Sequence, residues 1–232
     1  MKPIIRFNSI VISLTTIVVF CIWLIISKLL LTHPDWFKTS DNNLYNFLGV
    51  ILTAFMSIGV YRIFLNLCTY LVDNSLFIRK MVFKSSFLEG TWVGFYIGVS
   101  GNVRYLIETF EQNFDGVIIR GKSFNELQNF HSTWIADNVN IDVNRGKISY
   151  HYKVESPNET SDHNGIAFFN FERKTKKVAP HELIGFSADL HLSKKCKAVE
   201  IKVSDETTIK LEIALQKAKE LYETKNTHFS NT

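Results

Sequence analysis

The distribution of apolar and charged positions divides the chain into two parts. Residues 7–27 contain no charge, and residues 42–72 contain only one, at Arg62. A helix of about 20 apolar residues crosses the roughly 30 Å hydrocarbon core of a bilayer. The pattern therefore predicts a hairpin of two transmembrane helices with its connector over residues 1–84, and a separate domain over residues 85–232.

The second part has the pattern of an all-β domain. From Leu88 onward, aromatic and β-branched residues alternate with polar ones between breaks of Gly, Asn and Asp, which is typical of strands. Because the connections have hairpin length, we expect an eight-stranded antiparallel lipocalin-like β-barrel with up-and-down order and room for one small ligand. The predicted strands cover residues 90–99, 103–114, 117–124, 132–142, 147–155, 165–174, 182–192 and 198–203.

The C-terminal stretch has two interpretations at its start. Residues 207–213 alternate like a strand, whereas the apolar positions from Leu211 onward have helical spacing. Ser204 or Asp205 offers an N-cap. We expect a C-terminal helix over residues 206–223, placed to plug or cover one end of the barrel.

The first apolar segment has two interpretations as well. A secretory signal peptide has an apolar region of about 7–15 residues followed by a small-x-small cleavage site. The stretch from Phe7 to Ser27 is longer, and no clear site of that kind follows it. The sequence therefore favours a membrane span over a cleaved signal.

Charge predicts the orientation of the hairpin. Residues 1–84 contain eight Lys or Arg against three Asp or Glu, and the basic residues flank the two spans at Lys2, Arg6, Arg79 and Lys80. The positive-inside rule then places both termini and the barrel in the cytoplasm and the short connecting loop outside, for a two-pass protein.

The barrel domain is nearly neutral, and this excludes one class of function. Residues 85–232 contain 18 basic and 19 acidic residues. A DNA- or RNA-binding module presents a broad basic face, which this balance does not provide. A small phosphorylated ligand needs only one or two well-placed basic groups and stays compatible with the composition.

Small and hydroxyl-bearing residues recur at helical spacing in both spans. Such stripes let membrane helices approach closely, and hydroxyl groups can bond across the contact. Two uses are open: packing within one hairpin, or self-association into a homo-oligomer. The stripes comprise Ser9, Ser13 and Thr16 in the first span and Gly49, Thr53 and Ser57 in the second.

The sequence contains no motif of a known enzyme class. A nucleotide-binding glycine fingerprint, a P-loop, a G-x-S-x-G elbow and an H-E-x-x-H pair are all absent. His181, His191 and Cys196 make only a weak metal site, and a single thiol in the barrel domain allows neither a disulfide framework nor zinc spacing. We therefore expect a protein that is not an enzyme, with no metal and no cofactor.

Aromatic and arginine residues within the strands are the candidates for ligand binding. Aromatic faces stack on bases, and the guanidinium fork matches phosphate. Arg104 and the acceptor Asp189 are further candidates. The competing interpretation is that aromatic residues in a small barrel only fill its core. The predicted ligand-binding residues are Trp92, Tyr96, Arg120, Trp134, Tyr150 and Tyr152.

Two N-terminal spans, the segment from Leu88 to Tyr96 and a compact β domain together resemble a known family. In that segment Gly90, Trp92, Gly94 and Tyr96 form a G-x-W-x-G-x-Y pattern. The chain resembles the two-transmembrane β-barrel effectors of bacterial CBASS antiphage systems, and the pattern is similar to the first strand of lipocalin-type barrels in general.

The resemblance implies a function. Members of the CBASS effector family sense a cyclic dinucleotide that a partner cyclic-nucleotide synthase makes after phage infection. They then oligomerise in the inner membrane and disrupt the lipid bilayer, which kills the cell. A related guard system uses similar effectors with reversed logic, in which the nucleotide keeps the effector inactive. The sequence is compatible both with activation of the effector by the nucleotide and with its inactivation.

Two hypotheses of other classes compete with the sensor. One is a membrane-anchored carrier of an apolar ligand, whose cavity would be almost wholly apolar. The other is a structural subunit whose barrel is packed solid. Arginine and tyrosine hydroxyl groups inside the barrel favour a phosphorylated ligand over an apolar one.

Overall fold

In the computed structural model, the described residues are 3–32, 42–155, 163–190 and 194–229, apart from certain side chains within the helices, those of residues 42–53 among them. The chain divides into two compact units, with the boundary between Val82 and Phe83.

The first unit contains the apolar helices. Helix α1 spans Pro3–Thr32, α2 spans Asn42–Asn74 and α3 spans Leu76–Phe83. The segments Ile4–Ile26 and Ala54–Asn74 have mean hydropathies of 2.7 and 1.5. These two helices are long and apolar enough to cross a membrane.

The second unit is built on a closed antiparallel barrel, which confirms the predicted fold class. Each strand pairs with its neighbours in sequence, and β8 pairs with β1 to close the barrel. Two predicted strands have the observed bounds and the other six differ at their ends. The strands are β1 (Gly90–Ile97), β2 (Val103–Gln112), β3 (Val117–Phe124), β4 (Phe130–Asp142), β5 (Lys147–Glu155), β6 (His163–Glu172), β7 (Glu182–Asp189) and β8 (Lys195–Ser204).

The C-terminal helix corrects one expectation. Helix α4 spans Leu211–Phe229 and starts five residues after the predicted position. It packs on the outer wall of the barrel along β1 and β2 instead of covering an end. The reason is that β1 presents apolar side chains, Val93 and Phe95, on its outer face as well, and these are buried against Ala214, Ala218 and Leu221.

One end of the barrel is packed solid. Leu88, Trp92, Phe110 and Leu183 are fully buried there in one cluster, and the rings of Trp92 and Phe110 lie 5.4 Å apart. The side chain of Gln112 closes this end: it accepts hydrogen bonds from the backbone N–H groups of Leu88 and Glu89 and donates one to the carbonyl of Ser86. Any ligand space must therefore lie toward the opposite end.

Candidate functional site

A cavity of about 120 Å³ lies inside the barrel, toward the end where β5 and β7 finish and β6 and β8 begin. This volume is comparable to engineered cavities of roughly 150 Å³ that bind benzene. It is smaller than the roughly 300–1,000 Å³ of pockets that enclose a whole drug-sized ligand. The cavity therefore matches one flat ring. Its polar and aromatic lining includes Tyr96, Glu108, His131, Ser132, Trp134, Tyr150, Tyr152, His163, Asp189 and Glu200.

A glycine lets one ring reach a carboxylate two strands away. In the sheet register, Gly121 on β3 lies between Glu108 on β2 and Trp134 on β4. The indole lies over the bare backbone of Gly121, where a Cβ atom would overlap its ring. The Trp134 Nε1–H thereby donates a 2.9 Å hydrogen bond to Glu108 Oε1. The Tyr150 hydroxyl donates a second bond to the same oxygen at 3.2 Å.

The same arrangement recurs on the other side of the cavity. Gly165 on β6 lies between Tyr152 on β5 and Asp189 on β7. The phenol ring of Tyr152 occupies the space that a Gly165 side chain would need. Its hydroxyl donates to Asp189 Oδ1 at 3.0 Å. Two flat rings are thus fixed across the inner wall, each by a carboxylate.

Glu108 and Glu200 form a buried acid pair at the inner end of the cavity. Both side chains are enclosed, at 2% and 1% exposure. Burial raises the pKa of both carboxyl groups, and the hydrogen bond between them raises that of Glu200 further while it lowers that of Glu108. Because two adjacent buried carboxyls do not both ionise readily, the pair is expected to share one proton in the hydrogen bond between the two side chains.

A second polar group lies nearer the mouth. Burial raises the pKa of Tyr96 to about 12, while its hydrogen bond with Ser123 and the charge of Arg104 act in the opposite direction. The Ser123 and Ser132 hydroxyls are 2.7 Å apart. Arg104 pairs with Tyr96 in the register of β1 and β2 and is partly exposed. It places a cation beside the polar inner wall.

Four of the six predicted ligand residues line this cavity: Tyr96, Trp134, Tyr150 and Tyr152. Trp92 lies in the packed end, where its indole N–H donates to the Leu88 carbonyl at 2.8 Å. Arg120 lies on the outer face, where it forms a 3.2 Å ion pair with Glu111 and both side chains are about half exposed. Neither Trp92 nor Arg120 is part of the cavity lining.

Sequence reasoning did not single out Glu108 or Glu200. A signal was present, because Glu108 shares its strand parity with Leu106 and Phe110, and Glu200 shares its parity with Ala198. A carboxylate among apolar residues of one parity indicates a buried acid with a specific partner. The pairing of these two acids depends on strand register, which the pattern does not contain.

The small-residue stripes of the helices are only partly described. A groove of about 660 Å³ lies between α1 and α2, and Thr16 and Ser57 line it together with Thr15. Ser13 is exposed, and the Thr16 hydroxyl donates to the carbonyl of Ile12 in its own helix. The surroundings of Gly49 and the side chain of Thr53 are outside the described part of the structure.

Comparisons with known proteins give no match: no family model fits the chain, and neither a curated protein nor a solved structure is significantly similar to it. In the described ranges, no three His, Cys, Asp or Glu side chains are grouped in a way that could hold a metal ion. The function is therefore inferred from the cavity and the helices.

Proposed function

We propose that this protein is a membrane-anchored sensor of a cyclic dinucleotide and an antiphage effector of the CBASS type, as the sequence resemblance implies. The observation that carries the proposal is the polar, ring-lined cavity inside a closed barrel that follows two helices of membrane-spanning length. A synthase partner makes the ligand, the barrel binds it, and the helices act on the inner membrane.

The size and walls of the cavity suit one base of such a ligand. Trp134, Tyr150 and Tyr152 offer flat surfaces, and base–aromatic stacking contributes about 1–3 kcal/mol per base. The cavity has room for about one base, so the second base and the sugars of a cyclic dinucleotide lie at or beyond the mouth.

The charges around the cavity favour its mouth as the position of the phosphate groups of the ligand. The inner end contains the acid pair Glu108 and Glu200, which repels an anion, whereas Arg104 lies toward the outside beside Tyr96. His131 and His163 also belong to the lining near that end. A guanidinium group that binds a phosphate contributes a charge-assisted hydrogen bond, so Arg104 is the preferred phosphate contact.

The apolar helices are proposed to carry out the response to the ligand. Ligand binding favours an assembly of several copies in the membrane, and the assembled helices permeabilise the bilayer. Shifting a two-state population from 1:99 to 99:1 requires about 5.5 kcal/mol of differential binding. One stacked base and one charge-assisted phosphate bond contribute part of that energy in each subunit, and several subunits add their contributions.

Calorimetry tests the sensor. Full-length protein in detergent micelles is titrated with cyclic dinucleotides that cover the common base pairs and linkages. We expect binding at micromolar affinity or better for at least one, with a loss of at least tenfold in Trp134→Leu. An absence of heat with every compound contradicts the sensor function.

A liposome assay tests whether the protein permeabilises membranes and whether the ligand activates or inhibits this activity. Protein reconstituted in dye-loaded vesicles is expected to release dye when the bound dinucleotide is added. Release without ligand that stops on its addition indicates the reversed logic. No release in either condition contradicts membrane disruption.

Orientation is tested separately in cells. The positive-inside pattern predicts that both termini and the barrel are cytoplasmic and that the connecting loop at residues 32–43 is periplasmic. In Lys38→Cys, an impermeant thiol reagent is expected to label the protein in intact cells. Labelling that occurs only after lysis contradicts this orientation.

The carrier hypothesis is less consistent with the cavity. An apolar ligand would offer no hydrogen-bond partner to the polar lining of the cavity, which includes Glu108, Glu200 and Asp189, and a polar group buried without any partner costs about 1–3 kcal/mol. Titration with a fatty acid in the same micelles checks this: we expect no saturable binding.

A further inference from the structure

We propose that Arg62 lines an anion-selective path through the membrane, formed where several copies of the chain turn one side of α2 toward each other. This role rests on the proposed function, because it requires assembled helices that permeabilise the bilayer. It adds the class of solute that passes. The depth of Arg62 in the membrane, the polar residues that accompany it on α2 and the direction in which they face support this role.

Arg62 lies deep within the apolar part of α2. The apolar segment Ala54–Asn74 extends eight residues before Arg62 and twelve residues after it. At a rise of 1.5 Å per residue, these distances are about 12 and 18 Å. The hydrocarbon core of a bilayer is about 30 Å thick, so Arg62 lies near its middle when this segment crosses the membrane.

The packing of α1 against α2 leads to a similar depth. The nine residues that connect the helices reach at most about 32 Å, which is less than the length of α1, about 45 Å, so the helices run antiparallel. Among the residues that line their groove, Thr15 comes first on α1 and Val60 last on α2, so these two lie near the same level. Thr15 is nine residues from Arg6 and thirteen from Lys28. Arg62, two residues beyond Val60, is therefore distant from both charged ends of α1.

Arg62 is also part of a polar face of α2, which comprises Gly59, Arg62, Asn66, Thr69 and Asp73. These positions are spaced by three and four residues, which places them on one side of a helix. Arg62, Asn66 and Asp73 are exposed and Thr69 is partly exposed. A Cβ atom at Gly59 would meet nothing within 4 Å. Polar and ionisable residues of membrane helices generally face a water-filled cavity or other polar groups instead of lipid.

The polar face is turned away from α1. Two residues along a helix with 3.6 residues per turn correspond to a rotation of about 200°. Arg62 therefore points about 160° away from Val60, which lines the groove between the two helices. Helix α1 does not cover the polar face of α2 in its own chain. Several copies that turn this face inward enclose a path lined by polar groups.

The charge of this path favours one class of solute. Arg62 is the single charged residue between Asp41 and Asp73 in the sequence. Asp73 lies eleven residues further along α2, about 16 Å away, at the polar end of the helix, where salt screens charges over about 8–10 Å. A ring of arginine side chains inside a pore favours anions. Inorganic anions such as chloride are therefore the expected solutes.

Reversal potentials test this role. Full-length protein is inserted into planar bilayers with a tenfold gradient of KCl, and current is measured without nucleotide and after addition of cyclic di-AMP, cyclic di-GMP or cyclic GMP–AMP. In the condition that gives current, we expect chloride to be at least about fivefold more permeable than potassium, as for a pore with a cationic ring. A ratio near one, or a preference for potassium, overturns the anion-selective path while membrane permeabilisation stands.

Variants show whether Arg62 sets the preference. Arg62→Gln keeps a polar side chain without the charge, and its preference for chloride is expected to fall to twofold or less. Arg62→Lys keeps the charge and is expected to retain the preference. Lys28→Gln removes a positive charge outside the polar face and is the matched control, with an expected change below twofold. An unchanged preference in Arg62→Gln overturns the role of Arg62. The ratio of the unmodified protein decides the main point even if a variant gives no current.

The outcomes also distinguish this role from the proposed function. If no condition gives current although calorimetry shows a bound nucleotide, membrane permeabilisation fails and the anion path fails with it, whereas the sensor stands. If current flows without preference for chloride, permeabilisation stands and only the role of Arg62 is overturned.

Discussion

The indole N–H of Trp134 donates a 2.9 Å hydrogen bond to Glu108 although the two residues belong to strands that are not neighbours. The intervening strand contributes Gly121 at the same level. Tyr152, Gly165 and Asp189 repeat this relationship. The shape of the cavity thus depends on residues that have no side chain.

Gly121→Ala is expected to destabilise the protein. The added Cβ overlaps the indole of Trp134, so the ring must move and its bond to Glu108 is lost. Overpacking of this kind costs about 1–3 kcal/mol. Thermal unfolding of the full-length protein measures the change. Gly98→Ala is the control, since a Cβ there meets only the Asn102 carbonyl oxygen at 3.4 Å. Equal melting temperatures for the two variants contradict the role assigned to Gly121.

The acid pair predicts how stability depends on pH. The folded-state pKa of Glu108 and of Glu200 is raised, mainly by burial. The folded protein therefore holds more protons than the unfolded chain above the ordinary carboxyl pKa of about 4.3. Stability is then fully present below that value and falls as pH rises through the folded pKa values, by at most about 1.4 kcal/mol per pH unit for one proton.

Glu200→Gln isolates this contribution because it cannot titrate. Melting temperatures at pH 5, 6, 7 and 8 are compared for the original and the Gln variant. We expect the original to lose more stability than the variant as pH rises. Parallel curves would show that histidines or other groups, and not the acid pair, set the dependence.

Two arginines are expected to differ in ligand binding. Arg104→Ala should weaken binding of the cyclic dinucleotide at least tenfold, because it removes the preferred phosphate contact. Arg120→Ala should change affinity less than threefold and stability by less than about 1 kcal/mol, as for other exposed ion pairs. Calorimetry on both variants checks this. A larger loss in Arg120→Ala would favour the sequence-based assignment of that residue.

Trp92→Phe is expected to affect stability and not ligand affinity. The change leaves the buried Leu88 carbonyl without its donor, at a cost of about 1–3 kcal/mol. Denaturant unfolding measures the loss, and calorimetry measures affinity. A tenfold weaker affinity with unchanged stability would instead support a direct ligand contact.

Ser57→Leu is expected to abolish ligand-triggered dye release. Ser57 lines the groove between α1 and α2, and a larger side chain there alters the close approach of helices. Cys21→Leu is the control, since Cys21 on α1 is exposed and does not line the groove. Full dye release by both variants would show that this groove is not required for membrane permeabilisation.

The sequence by itself determined the apolar helices and the strands. Apolar stretches with at most one charge are long enough for a membrane span, and alternation with turn residues places eight strands close to their observed bounds. Connections of hairpin length leave few alternatives to neighbour pairing, so the closed antiparallel order was predictable. These features depend on local pattern, which sequence contains directly.

Other features were decided only by the tertiary structure. Alternation shows which residues share a face but not which face is inside, and β1 is buried on both faces because α4 covers its outer side. The outward position of Arg120 could have been inferred from the sequence, because Lys122, two residues further along the strand, lies on the same face and both side chains are exposed. The meeting of Glu108, Glu200 and Trp134 could not, because it depends on the register of five strands, β8 and β1–β4, and on the space that glycine leaves between them.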